Sequence, residues 1–207
     1  MKHLFALAVF ASITLSSTLL SAQAQKPAKE VAKNTYIDVH HLGAGKVTIK
    51  EIEEAHKKDI ETQGKYGVTF LKYWFDAATG DVYCLSTSSS TEAISKTHAE
   101  AHGLLPAGFY QVTAGQEEHL KGKNSLYLDV HELGEGKVTA NDVAEAHQKD
   151  LAVQKKYGVN LINYWVDEKK GIVMCLAQAP DSLALINTHR EAHGLIPDKV
   201  VKVKQGQ

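Results

Sequence analysis

The sequence predicts an α+β protein made of two tandem copies of one βαββαβ unit, packed as a pseudo-dimer with their sheets face to face. Three observations lead there. His147, Trp165, Cys175 and His189 each follow His56, Trp74, Cys84 and His98 by one constant interval, with no insertion or deletion between segments 36–106 and 127–197. A domain-sized period present only twice marks a tandem duplication, not a solenoid. Within each copy, short segments with strand periodicity alternate with two longer segments of helical periodicity.

Taken in order, segment 36–41 alternates, with Ile37 and Val39 on one side and Tyr36, Asp38 and His40 on the other. Gly43-Ala44-Gly45 reads as a turn, and Thr48 opens a helix with Glu51 placed for a capping box, as Thr139 and Asp142 do more weakly in the second copy. Gly67 stops that helix after about residue 66. Segments 68–76 and 82–86 form a hairpin about Thr79-Gly80, 91–102 is the second helix and 109–113 the last strand. With right-handed crossovers this order gives a ferredoxin-like sandwich, both helices on one sheet face. The bare faces of the two units then pack together and bury Phe70, Trp74, Leu161 and Trp165. The expected division is an export signal at 1–24, a lead segment at 25–34, the first repeat at 35–113, a linker at 114–124 and the second repeat at 125–207.

Composition narrows the function. Lys2 and His3, an apolar run from Leu4 to Leu20 and Ala22-Gln23-Ala24 match an export signal, which places the mature chain in the periplasm or outside the cell, without stable membrane association once the signal is removed. A formal net charge of −1 and a pI near 6.8 leave no basic surplus for nucleic acid. Cys84 and Cys175 sit at matching places in apolar strands and form no Cys-x-x-Cys pair, so each reads as a core residue of its own copy.

The chemistry-bearing pattern is histidine. His98 and His102, like His189 and His193, stand four apart before a glycine, one helix face with Cβ atoms about 5–6 Å apart. That spacing suits a shared metal ion, and equally an incidental hydrogen-bonded pair. In the first helix Ile52, His56, Asp59 and Gln63 share the stripe that should be apolar, as do Val143, His147, Asp150 and Gln154. One account is a hydrogen-bond network in which Asp59 orients His56 and Gln63 satisfies a backbone group; the other makes His56 a metal ligand. If Ile37 and Val39 face the helices, Asp38 and His40 face away. Gathering His40, His56, His98 and His102 then requires a twist at the Gly-x-Gly turn, or two separate sites. Nitrogen and carboxylate ligands without thiolate point to nickel, zinc, copper or cobalt.

Other chemistries lack their motifs. Glu100 stands two residues after His98, whereas zinc proteases place glutamate immediately after the first histidine; no nucleophile elbow supports a triad, and Gly43-Ala44-Gly45-Lys46 lacks phosphate-loop spacing.

Asp38-Val39-His40, Ala55-His56-x-x-Asp59, Tyr73-Trp74-x-Asp76, Val82-x-Cys84-Leu85 and Thr97-His98-x-Glu100-Ala101-His102-Gly103-Leu104, with their second-copy counterparts, resemble small ferredoxin-like domains known as nickel-binding proteins and formerly classed as a domain of unknown function. The resemblance implies dimeric packing and a nickel-like ion, with zinc or copper as further candidates. It implies ligands among His40, His56, His98, His102 and Asp59, and among His131, His147, His189, His193 and Asp150; Asp38 and Asp129 are weaker candidates. The chain departs from the single-domain pattern in being a tandem, and in having Ser88-Ser89 and His41 where the second copy has Ala179-Pro180 and Glu132. The expected function is an exported metal-binding protein with a buffering or delivery role. The competing expectations are a ferredoxin-like pseudo-dimer that binds or transforms a small molecule in a pocket lined by histidine and Trp74 or Trp165, and an interaction module whose histidines are satisfied core groups.

Overall fold

The computed structural model describes residues 32–115 and 117–207. The expected export signal and most of the lead segment lie outside the described residues. The first repeat contains β1 (Asn34–His41), α1 (Ile49–Thr62), β2 (Thr69–Asp76), β3 (Asp81–Ser88), α2 (Thr91–Ala101) and β4 (Gly108–Ala114). The second contains β5 (Ser125–Glu132), α3 (Ala140–Val153), β6 (Asn160–Asp167), β7 (Ile172–Ala179), α4 (Ser182–Ala192) and β8 (Lys199–Gly206). This is the predicted doubled α+β unit.

Local chemistry sets the helix limits. Thr48 and Thr139 accept the backbone N–H of Glu51 and Asp142, whose carboxylates return a bond to the threonine N–H, so both capping boxes form. Each helix then tightens into a 3₁₀ turn, Gln63–Tyr66 or Gln154–Tyr157, and stops at a left-handed glycine, Gly67 or Gly158.

Every adjacent strand pair is antiparallel, and the order β1-β3-β2-β8-β5-β7-β6-β4 closes into a barrel. The two sheets therefore face each other and are also joined along both edges, by β2–β8 and β4–β6, which leaves no unpaired sheet edge among the described residues. Inside lie Ile37, Val39, Trp74, Leu85, Leu128, Val130, Trp165 and Leu176, among others. The rings of Trp74 and Trp165 meet at 4.8 Å across the centre. Each fully buried aliphatic side chain there contributes about 1.5–3 kcal/mol. The helices cover the outer face, where Ile52 and Ile94 pack with Tyr36, Phe70, Tyr73, Val82 and Cys84.

Three expectations about direction are corrected. Ile37 and Val39 face the barrel interior, not the helices, so Asp38 and His40 point toward the helices. Phe70 and Leu161 lie on the helix side instead of between the sheets. The cause is a bulge in each strand, between Phe70 and Lys72 and between Leu161 and Asn163, which adds one residue and reverses the alternation. Trp74 and Trp165 are inside the barrel while the histidines are outside it, so Tyr73 and Tyr164, not the tryptophans, wall the histidine pockets.

The two seams are built around small residues. Gly206 on β8 lies against the Tyr73 ring and Gly115, after β4, against the Tyr164 ring; a Cβ on either glycine would come within 2.3 Å of the ring. Each repeat thus backs the pocket wall of the other.

Candidate metal centre

Asp38 and His40 project from β1, and Asp38 is paired across the sheet with Cys84 of β3, on the same face. Asp59 comes from the last turns of α1 and His98 from α2, with His102 as the residue that ends α2. The helices rest on this face, so all six groups meet between layers.

His98 is the hub. Its Nε2 lies 3.1 Å from Asp38 Oδ2 and its Nδ1 2.9 Å from Asp59 Oδ1, and the side chain is 1% exposed. His40 Nε2 shares Asp38 Oδ2 at 3.1 Å. His102 Nδ1 accepts the Leu104 N–H at 3.1 Å, so its Nε2 carries the hydrogen and donates to Asp59, 3.1 Å from Oδ1. The 3.2 Å approach of His98 Nδ1 to His102 Nε2 is therefore that of two donors sharing one carboxylate. The second repeat repeats the pattern, with His189 3.0 Å from Asp150 and 3.3 Å from Asp129, and His193 3.3 Å from Asp150.

Two sets of potential ligand atoms result in each repeat, each set lying within 4.8 Å of one another: Asp38, His40, Cys84 and His98 on one side of His98, and Asp59, His98 and His102 on the other. Asp129, His131, Cys175 and His189, and Asp150, His189 and His193, are their counterparts. The groupings fit metal binding.

Of the sequence candidates, His40, His98, His102 and Asp59 are brought together, as are His131, His189, His193 and Asp150. His56 and His147 are not in these sets. They line the same pockets, their rings 4.8 Å from Tyr73 and Tyr164. Nor does Asp59 orient His56: its oxygens serve His98 and His102, because α2 presents two donors to it. Gln63 does satisfy a backbone group, the Phe70 N–H at the bulge, at 2.6 Å. Asp38 and Asp129 stand at the centre of the clusters, and Cys84 and Cys175, read from sequence as plain core residues, are buried free thiols within them. The signal for Cys84 was its place opposite Asp38 on a neighbouring strand, which sequence alone does not pair.

A family model described as nickel responsive protein SCO4226-like matches residues 36–112 and again 127–203. The chain belongs to the SCO4226-like family. No curated protein sequence matches it. Among solved structures, SCO4226 from Streptomyces coelicolor A3(2) is 31% identical over 40% of this chain and 100% of that one, with a TM-score of 0.38. A chlorite dismutase from Candidatus Nitrospira defluvii is 4% identical, with 84% and 91% of the chains covered and a TM-score of 0.49. A heme-binding protein from Thermus thermophilus is 9% identical, with 83% and 90% covered and a TM-score of 0.39.

In this SCO4226-like chain the carboxylates govern protonation. Burial would push His98 down, but hydrogen bonds and charge from Asp38 and Asp59 outweigh it and raise His98 to about 9; Asp129 and Asp150 raise His189 to about 10 in the same way. Both are imidazolium at neutral pH without metal. Burial opposes ionisation of Asp38 and Asp59, and their histidine partners overcome it, holding both below the usual carboxylate range. His56 and His147 are pushed down, chiefly by burial, and stay neutral. Burial, with the nearby Asp38 and Asp59 charges, lifts the Cys84 thiol well above its ordinary value.

Proposed function

We propose that each repeat binds a divalent transition-metal ion of the nickel class, and that the protein is exported and buffers or delivers that ion. The observation that carries this reading is a set of buried atoms that have no hydrogen-bond partner among the described residues: Asp38 Oδ1 and His40 Nδ1 in one repeat, Asp129 Oδ1 and His131 Nδ1 in the other. An unpaired buried polar atom costs about 1–3 kcal/mol, and the same pair left open in both halves fits a ligand set better than a packing fault.

Imidazole, carboxylate and thiol donors suit a borderline ion such as nickel, zinc or copper. Membership of a family described as nickel responsive supports nickel among these. His40, His98 and His102 would supply nitrogen and Asp38 and Asp59 oxygen, with Cys84 as a sulfur donor beside them. The bound ion would supply positive charge to two buried carboxylates that His98 alone neutralises only in part. The residues themselves handle the proton: His98 must release one from a ring nitrogen before that nitrogen can bind a cation.

Dialysis of the chelator-treated mature chain against nickel, followed by elemental analysis, tests the reading. We expect retained metal in proportion to the two repeats, lowered to half by Asp38→Asn with His98→Gln. A protein that comes out of dialysis with no stoichiometric metal, and whose melting temperature does not move with nickel, would remove it.

A further inference from the structure

Away from the histidines, each seam of the barrel leaves a groove between the hairpin of one repeat and the last strand of the other. The groove at β4–β6 holds about 630 Å³. That lies within the roughly 300–1,000 Å³ of small-molecule sites, which favour junctions between structural units. Tyr110 and Val112 face the barrel interior, so Phe109, Gln111 and Thr113 present themselves outward along the groove.

The groups left free there define a guest. Ser90 is committed to the Ala93 N–H and Lys170 to the Phe109 carbonyl. Ser89, Thr91, Gln111 and Thr113 line the groove with no side-chain hydrogen bond among the described residues. Hydroxyls and amides both donate and accept, so a partner must do the same at several points. Tyr36, Phe109 and Val166 add apolar surface, and the two carboxylates and two ammoniums of Asp167-Glu168-Lys169-Lys170 cancel. With no net charge on the hairpin, nothing in the groove selects an ion. A neutral molecule with many hydroxyls and C–H faces between them meets all three conditions.

The matched groove at β2–β8 is a built-in control. There Lys202 and Lys204 replace Gln111 and Thr113, Val200 replaces Phe109, and the hairpin reads Ala77-Ala78-Thr79, with the Thr79 hydroxyl spent on Asp76. Its strand side is cationic and its hairpin side offers no free polar side chain. We propose that the β4–β6 groove binds a short neutral saccharide and that the β2–β8 groove does not. This goes beyond the metal reading and does not depend on it.

The test titrates the full mature chain with cellobiose, maltose and N,N′-diacetylchitobiose, with sulfate and acetate as anionic controls, and follows backbone amide and glutamine side-chain signals. At least one disaccharide is expected to saturate a single site at about 1 mM or tighter, moving Ser89, Gln111 and Thr113 and leaving Lys202 and Lys204 in place. Gln111→Lys with Thr113→Lys gives β4 the residues that β8 already carries at the same places, and should weaken binding at least about tenfold. Melting temperature and nickel retention of that variant should match the parent, so loss of sugar binding is separated from unfolding and from the metal reading. If the double variant does not fold, Gln111→Ala carries the test, with a several-fold loss expected. Absence of saturable binding by all three disaccharides, an equal response along β8, anions that bind as well as the sugars, or indifference to the exchanges would overturn the proposal.

Discussion

At the residue scale, His98 between Asp38 and Asp59 decides how the centre behaves toward protons and metal. Removing one partner of a buried charged pair costs about 3–5 kcal/mol, so Asp38→Asn should lower the denaturation midpoint of the metal-free protein and drop the His98 pKa toward its ordinary range, read by histidine ring titration. The pH dependence has a defined sign. A histidine whose folded value is raised stabilises the fold fully below its unfolded value near 6.5, and that stability fades as pH climbs through about 9 for His98 and about 10 for His189. Urea midpoints of the metal-free chain should therefore fall between pH 6.5 and 10. The raised Cys84 and Cys175 thiols act in the same direction, so ring titration, not the midpoint alone, assigns the histidine share. Nickel affinity should move oppositely and strengthen with pH over that window, because the ion competes with the His98 and His189 protons.

At the element scale, the bulges of β2 and β6 matter most. Gln63 and Gln154 reach across to accept the Phe70 and Leu161 N–H groups that the bulges free from the ladder, at 2.6 and 2.9 Å. Gln63→Ala should leave that N–H unpaired and cost about 1–3 kcal/mol in urea unfolding, with metal retention preserved. These bulges also mark the limit of what was legible. Element order, capping boxes and the stopping glycines follow from local chemistry, and all stand in the structure. Alternation along β1 correctly put Asp38 with His40, apart from Ile37 and Val39. It could not say which set faces the helices, since a closed barrel gives the apolar side a second core to face. Phe70 and Leu161 were misplaced because one inserted residue reverses a period-two pattern without any mark in composition. In the site, the helical pair His98 and His102 was readable from spacing. His56 shares its stripe with Asp59 but stands outside the ligand sets, and Cys84 entered them through strand pairing that only the fold supplies.

At the scale of the whole molecule, the two seams are chemically unlike. On the β2–β8 side Lys199 bonds Asp81 at 2.7 Å and the Tyr83 hydroxyl at 3.0 Å, and His41 bonds the other oxygen of Asp81. On the β4–β6 side Lys170 instead donates to the Phe109 carbonyl and lies over the Tyr110 ring. Such unlike seams favour one arrangement of the halves over its mirror exchange. A first repeat produced alone would expose β2 and β4 as open edges beside an apolar face holding Ile37, Val39 and Trp74. Sedimentation should find it paired or aggregated, and no stable monomer.

The reciprocal seating of Gly206 on Tyr73 and of Gly115 on Tyr164 has a practical corollary. Shortening the tail by a few residues would injure the first half's histidine pocket while sparing the nearer one, so loss of function from a C-terminal truncation should map to the opposite end of the gene.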